Sequence, residues 1–356
     1  MNIPDTFSDI DPIPQSEGPE PACAITYTPE FVEAHDYLRA VLKSDERSER
    51  AFALTTICLK FNPANYTCWH FRRRCLVALC TPTDDGDARA TIDVERIDKD
   101  LDFADELGGT NPKNYQLWYH RRALLELRFK GDERMQVAQK ELGYVHKILQ
   151  DDNKNYHAWS HRQWIVRSIN HPQLWSAEIE YSHSMILLDP LNNSAWNQRW
   201  FATHEGEIAS NSGKKPGKLS FEKAEEEANY AICGTKVDPF NESPWRYLIG
   251  VLMEQYRWAG ADSKEKEAAN GLLHEYIEKI KDMNKTWDNP PDNYPEGPCV
   301  SLMSALVDLL EALGDKTSLE EAKNMMGKLI VEDPVRRKYW HKRQSSASSL
   351  LGNVTE

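Results

Sequence analysis

Three tyrosines stand at matching places in this chain, each with neighbours suited to holding an anion. Tyr66, Tyr115 and Tyr156 each lie three residues before a tryptophan, and Lys113, Lys154, Gln116 and His157 flank them. Each tyrosine follows an Asn (65, 114 and 155) of the type that caps a helix. A helix start presents unpaired amides and a partial positive charge, so three in a row with Lys and His beside them make a candidate anion site. The corresponding residues in later copies of the same phrase are Asn193, Glu242 and Arg337. A residue needed only for stacking should recur in every copy, which favours a shared functional surface. Packing of the tyrosines over the turn remains the alternative reading.

Other chemical signals are thinner. His157 and His161 are spaced to share a metal, but no third ligand follows at a suitable spacing, and His161 reads as part of a repeat interface. Arg72-Arg73-Arg74 and His120-Arg121-Arg122 point to different helix faces and form no basic stripe. Gly213-Lys-Lys-Pro-Gly-Lys218 lacks the Gly-Lys-Ser/Thr spacing and the preceding strand of a phosphate loop. No nucleophile–base pair and no motif-placed carboxylate pair is present, so no complete active site is expected here.

The elements that position these side chains are repeats. Near-copies of one phrase end at Trp69, Trp118, Trp159, Trp196, Trp245 and Trp340, at intervals of 49, 41, 37, 49 and 95 residues. The last interval has room for one more unit that has lost its signature. Such periodicity predicts helical hairpins, each burying its apolar face against its neighbours. Asp or Asn seven residues before each Trp, usually followed by Pro, closes one helix and sets a turn. Asn four before Trp (65, 114, 155, 192 and 241) is the predicted cap of the next. Arg three after Trp (72, 121, 162, 199 and 343) shares its face. We expect Trp to pack between hairpins and Arg to bond carbonyls or carboxylates of the adjacent repeat. The second helix of a unit runs amphipathically, as from Asp132 to Leu149, and no stretch reads as a strand.

Composition sets the remaining bounds. With 43 Lys+Arg against 56 Asp+Glu the net charge is −13, which argues against nucleic acid or an anionic membrane as the main partner. Seven cysteines without a CxxC read as reduced thiols of a cytoplasmic protein. No apolar run approaches the roughly 20 residues that span a bilayer. Residues 1–28 hold five prolines, five acidic residues and no Lys or Arg, and are expected to be disordered. A repeat domain is expected over 29–350, interrupted by a Gly/Lys/Pro-rich loop at Ser210–Leu219 and an extended connection at Asn284–Pro298.

The phrases Asn114-Tyr-Gln-Leu-Trp-Tyr-His-Arg-Arg122, Asn155-Tyr-His-Ala-Trp-Ser-His-Arg-Gln-Trp164 and Asn192-Asn-Ser-Ala-Trp-Asn-Gln-Arg199 resemble the repeats of the protein prenyltransferase α subunits. They are most similar to the α subunit shared by protein farnesyltransferase and geranylgeranyltransferase type I, over roughly residues 29–345. The resemblance implies an all-α superhelical crescent of about seven helical hairpins (an α-α superhelix), wrapped around a β subunit and active only with it. It implies farnesyl or geranylgeranyl diphosphate as donor, and CaaX proteins such as Ras-like and Rho-like GTPases as acceptors. Zinc is implied on the β subunit, magnesium for farnesyl transfer, and two alternative β partners for one α chain.

Carried over by residue, the resemblance makes Lys113 the lysine that approaches the isoprenoid diphosphate, Tyr115 the tyrosine that assists it, and His157 a histidine near the same group. Gln116 matches the glutamine that receives the peptide's C-terminal carboxylate, and Tyr66 a tyrosine lining the pocket for the last CaaX residue. Tyr119 departs from the usual His, and Trp245-Arg-Tyr-Leu248 loses the Trp-x-x-Arg spacing. The rival readings are the α subunit of Rab geranylgeranyltransferase and a non-catalytic TPR-like scaffold. Against the first stand Lys113-Asn-Tyr115 and Lys154-Asn-Tyr156 and the absence of added domains; against the second, the long and variable period.

Overall fold

The computed structural model describes residues 1–16, 18–19, 23, 25–80, 93–109, 111–210, 219–259, 263–287 and 298–354. Among these, every regular element is helical and no strand occurs. The repeat array expected as one domain over 29–350 resolves into two compact units, Met1–Ile169 and Asn170–Glu356.

In the first unit a short helix α1 (Ile3–Thr6) precedes α2 (Pro29–Ser44), which packs on a series of hairpins. These pair α3 (Glu49–Phe61) with α4 (Tyr66–Cys80), α5 (Val94–Gly108) with α6 (Tyr115–Arg128), and α7 (Arg134–Asp151) with α8 (Tyr156–Ile169). The second unit pairs α9 (Pro172–Leu188) with α10 (Asn193–Ser210) and α11 (Phe221–Val237) with α12 (Glu242–Arg257). It continues with α13 (Ser263–Trp287) and α14 (Val300–Leu313), then α15 (Lys316–Glu332) and α16 (Arg337–Val354). Seven hairpins result, as the repeat count predicts. Helix α13 runs through Trp287, past the Asn284 at which an extended connection is expected. Gly213–Lys218 and the core of the Asn284–Pro298 stretch lie outside the described residues.

The phrase works as a local folding instruction. In the first five copies the Asn or Asp seven before Trp accepts the amide two residues on, as Asn62 does from Ala64 (3.0 Å) and Asn111 from Lys113 (3.2 Å). The Asn four before Trp caps the following helix, Asn114 accepting from Gln116 N–H (3.0 Å) and Asn155 from His157 and Ala158 (3.0 and 3.1 Å). All six tryptophans are buried, and the first five indoles donate to the carbonyl six residues back, as Trp69 does to Pro63 and Trp118 to Pro112 (both 2.7 Å).

That same carbonyl joins one repeat to the next. Asn114 Nδ2 donates to Pro63 O (2.7 Å), Asn155 Nδ2 to Pro112 O (3.4 Å), and in the second unit Asn241 Nδ2 to Pro190 O (2.7 Å). One Asn therefore caps its own helix and registers it on the preceding turn. Asn114→Ala should destabilise the protein by about 2 kcal/mol, a lost cap plus a lost inter-repeat bond, read as a fall in Tm. Asn114→Asp should recover at most the cap's share of the loss, because the donor to Pro63 O is gone.

The unit without a signature keeps this geometry by other means. Cys299 precedes α14, and its thiol donates to Pro239 O (2.9 Å), standing where the other repeats place Asn. Four residues on, Met303 is buried where Trp would fall.

Trp and Arg behave as expected. Trp69 packs against His120 (4.5 Å between ring centroids) and Trp118 against His161 (5.2 Å), each one Trp helix further on. Arg72 donates through Nε to Asp100 (2.8 Å), and Arg121 through Nε and Nη2 to Glu141 (2.9 and 2.6 Å). In the second unit Arg199 makes the corresponding pair with Glu227 (2.7 and 2.8 Å). A second donor meets each carboxylate from two residues after the next Trp: His120 to Asp100 (2.9 Å), His161 to Glu141 (2.8 Å) and Tyr247 to Glu227 (2.7 Å). Burial alone would raise the Asp100 and Glu141 carboxyls. His120 and Arg72 nonetheless hold Asp100 below the usual range, and Arg121 with His161 brings Glu141 to about 2.

The expected disorder of residues 1–28 is corrected over 1–16. Phe7 is fully buried, 5.7 Å from the Tyr37 ring, with Ile3 buried and Ile10 half-buried beside it. Arg50 donates to Thr6 O (3.0 Å) and to Asp9, and Arg39 to Ile13 O (2.7 Å). Average composition hid three apolar residues at helical spacing and the arginines that α2 and α3 offer to this acidic segment.

Candidate functional site

The tyrosines of the repeat phrase each form the first residue of a helix: Tyr66 of α4, Tyr115 of α6 and Tyr156 of α8. The bonds Asn114–Pro63 and Asn155–Pro112 hold these three helix starts side by side in the first unit. The tyrosines are among the most exposed large apolar side chains of that unit, at 69, 67 and 71 %. Packing over the turn, the alternative open from the sequence, would bury them. Instead their rings project outward from a row of helix N-termini.

Two cross-links join the starts of α6 and α8. Lys113 Nζ pairs with Asp152 Oδ2 at 3.1 Å, and the Tyr115 ring meets His157 edge to face, 4.1 Å between centroids at 81°. The Tyr156 ring lies 5.7 Å from that of His157. His157 is half-buried, and its burial pushes the imidazole below its usual pKa. Near neutral pH the ring is therefore uncharged and carries one N–H. Lys113 remains exposed on a flexible stem, its backbone fixed by Asn111.

Four of the sequence-derived candidates are thus adjacent: Lys113 and Tyr115, next but one along the chain, Gln116 beside Tyr115, and His157 against its ring. Gln116 is half-buried in the first turn of α6. Tyr66 stands one repeat away, and among the described residues no hydrogen bond or ring contact ties it or the Gln116 side chain to the other three. The spaced pair His157 and His161 does not converge, since His161 is committed to Glu141. Among the described residues no group of three or more His, Cys, Asp or Glu is placed to hold a metal ion. Asp152 was not singled out from the sequence as a site residue. Its only signal there is an acid where the two preceding copies have Asn62 and Asn111.

The result is a surface of one ammonium, phenol hydroxyls, a neutral imidazole and three helix N-termini, with one carboxylate set against the lysine. It suits an extended anionic ligand lying across two or three repeats. The class so defined is an all-α repeat protein with a row of helix starts able to receive an anion.

The protein prenyltransferase alpha subunit repeat matches residues 48–79, 97–128, 138–169 and 175–205. The chain is similar to the protein farnesyltransferase/geranylgeranyltransferase type-1 subunit alpha of Dictyostelium discoideum, 31 % identical across 97 % of this chain and 93 % of the other. Its tomato (Solanum lycopersicum) counterpart is 36 % identical across 95 % of this chain and 88 % of its own length. The fold matches a chain of Candida albicans protein geranylgeranyltransferase-I complexed with GGPP, with a TM-score of 0.71 at 23 % identity, covering 96 % and 98 % of the two chains. The chain belongs to the protein prenyltransferase α-subunit family.

Proposed function

We propose that this chain is the α subunit of a heterodimeric CaaX protein prenyltransferase, farnesyltransferase or geranylgeranyltransferase type I. The observation that carries the reading is the Lys113/Tyr115/His157 group, held across two repeats in a chain of this family. A β subunit would complete the site, and one α chain could serve two alternative β partners. The donor is farnesyl or geranylgeranyl diphosphate, and the acceptor is the CaaX cysteine of Ras-like or Rho-like GTPases. The same reading places the protein in the cytoplasm. Among the described residues no helix is long and apolar enough to cross a membrane.

In the transfer, the thiolate electron pair forms the S–C1 bond as the C1–O bond breaks, and the bonding pair leaves on the diphosphate oxygen. The residues of this chain act on that developing charge. Lys113 brings a full positive charge, Tyr115 an O–H, and His157 an N–H on a ring whose plane the Tyr115 contact fixes. Gln116 would donate its amide to the peptide's C-terminal carboxylate, and Tyr66 would line the pocket for the last CaaX residue. Zinc, held by the partner subunit, would supply a lowered thiol pKa, and magnesium would balance diphosphate charge in farnesyl transfer.

Co-expression with a farnesyltransferase-type β subunit tests the proposal. We expect prenyl transfer to a CaaX peptide from the pair and from neither subunit alone. A stable pair without transfer would point to the Rab-type enzyme, and no pair at all to a scaffold.

A further inference from the structure

We infer that Asp152 is a positioning residue for Lys113, holding its ammonium between the starts of α6 and α8 and yielding it to the diphosphate. The inference rests on the role given to Lys113 above. Asp152 divides its carboxylate between two tasks: Oδ1 accepts the Lys154 amide (3.2 Å) in the turn before α8, and Oδ2 accepts from Lys113 Nζ (3.1 Å).

The repeats themselves show which task needs the charge. In the two preceding copies a neutral Asn makes the same turn, Asn62 with Ala64 (3.0 Å) and Asn111 with Lys113 (3.2 Å). Asp189 and Asp238 make it again in the second unit, with the amides of Leu191 (3.1 Å) and Phe240 (3.0 Å). An amide oxygen therefore suffices for the turn. The carboxylate at 152 has a second use, and the partner it meets is the lysine of the next turn back.

The physical consequence is a trade between affinity and turnover. A lysine on a four-carbon stem, 70 % exposed, is a poorly oriented donor unless something restrains it. Asp152 restrains it across the same two helix starts that the Tyr115–His157 ring contact joins. The same carboxylate repels an incoming diphosphate and must release or share Nζ when it binds. Removing the charge should tighten ground-state binding while loosening the donor that serves the transition state.

The conservative variant is Asp152→Asn, assayed in the heterodimer beside Lys113→Ala and the double variant. Binding of farnesyl and geranylgeranyl diphosphate is measured at equilibrium, and transfer by single turnover. For Asp152→Asn we expect Kd to fall about fivefold, the effect of one screened nearby charge. Transfer should slow about tenfold through lost orientation. The slowing should vanish when Lys113 is already Ala, whereas the gain in affinity should persist, because the lost carboxylate charge acts on the diphosphate itself. Tm should stay at the wild-type value, since Asn supports this turn at 62 and 111.

Wild-type affinity and rate in Asp152→Asn would overturn the inference. So would an equal slowing with and without Lys113, or a lowered Tm, which would give the carboxylate to the turn alone. If Lys113→Ala leaves transfer unchanged, the proposed role of Lys113 fails first and takes this inference with it. If Lys113→Ala slows transfer and Asp152→Asn does not, only the inference falls.

Discussion

Lys113→Ala is expected to slow prenyl transfer by the heterodimer about a hundredfold or more, while isoprenoid diphosphate affinity changes far less. The asymmetry follows from where the charge appears. In the ground state the diphosphate is already anionic, and Asp152 competes with it for the ammonium at 3.1 Å. As C1–O breaks, additional negative charge collects on the leaving oxygen, and a preplaced cation gains most at that moment. A donor of this kind is worth roughly 3 kcal/mol. Single-turnover transfer and equilibrium binding on the same preparation separate the two quantities. A variant that loses affinity tenfold or more but turns over bound donor normally would show that Lys113 binds rather than assists, and the catalytic assignment would be withdrawn.

The second large effect concerns stability. Arg121→Met should cost about 3–5 kcal/mol, because it leaves the Glu141 carboxylate buried with His161 as its remaining side-chain partner. Arg121 also donates to Leu101 O (3.0 Å) and stacks on Tyr144 at 3.7 Å, so a Met side chain restores volume but not donors. The pH dependence gives the sign. In the wild type, Glu141 titrates at about 2, below its ordinary value of 4.5. It therefore contributes stability above about pH 4.5 that is lost as pH falls toward 2. Without Arg121, burial is opposed by His161 alone, and the folded-state pKa should rise. The variant's deficit should then be largest near neutral pH and shrink on acidification as Glu141 takes up a proton. Thermal melts of both proteins between pH 7 and 4 measure this. A deficit that stays constant over that range would mean Glu141 is not the group responsible. A further Glu141→Met change in the variant should recover much of the loss, since a buried pair replaced by apolar side chains is often neutral.

Much of this protein was legible because its information is local. A turn, a cap and a tryptophan within eight residues determine one another through bonds such as Asn111 to Lys113 and Trp118 to Pro112, so their repetition alone predicted helical hairpins. Confinement of the tyrosines to three phrases likewise made Lys113, Tyr115, Gln116 and His157 candidates, because successive helix starts of a repeat array can share a surface. The buried carboxylates were also within reach. Asp100, Glu141, Glu178 and Glu227 each lie 18 residues before a Trp of the phrase. Their regularity passes unnoticed when each is read as one more surface acid on an amphipathic helix.

What only the tertiary structure decided are the pairings between repeats. Arg72 finds Asp100 28 residues on, whereas Arg121 finds Glu141 only 20 on, because the segments between hairpins differ in length while the stacked geometry does not. The same holds for Cys299, which replaces Asn because the stack needs a donor at that point toward Pro239 O, not a particular residue type. The segment around Phe7 could be placed only once α2 and α3 offered it apolar neighbours and two arginines, Arg39 for Ile13 O and Arg50 for Thr6 O and Asp9. Asp152, a turn residue by its sequence, became the partner of Lys113 only when successive helix starts were brought side by side. Sequence determines what each repeat does to itself through contacts a few residues apart. Stacking determines what each repeat does to the next, and the candidate site is built from those contacts.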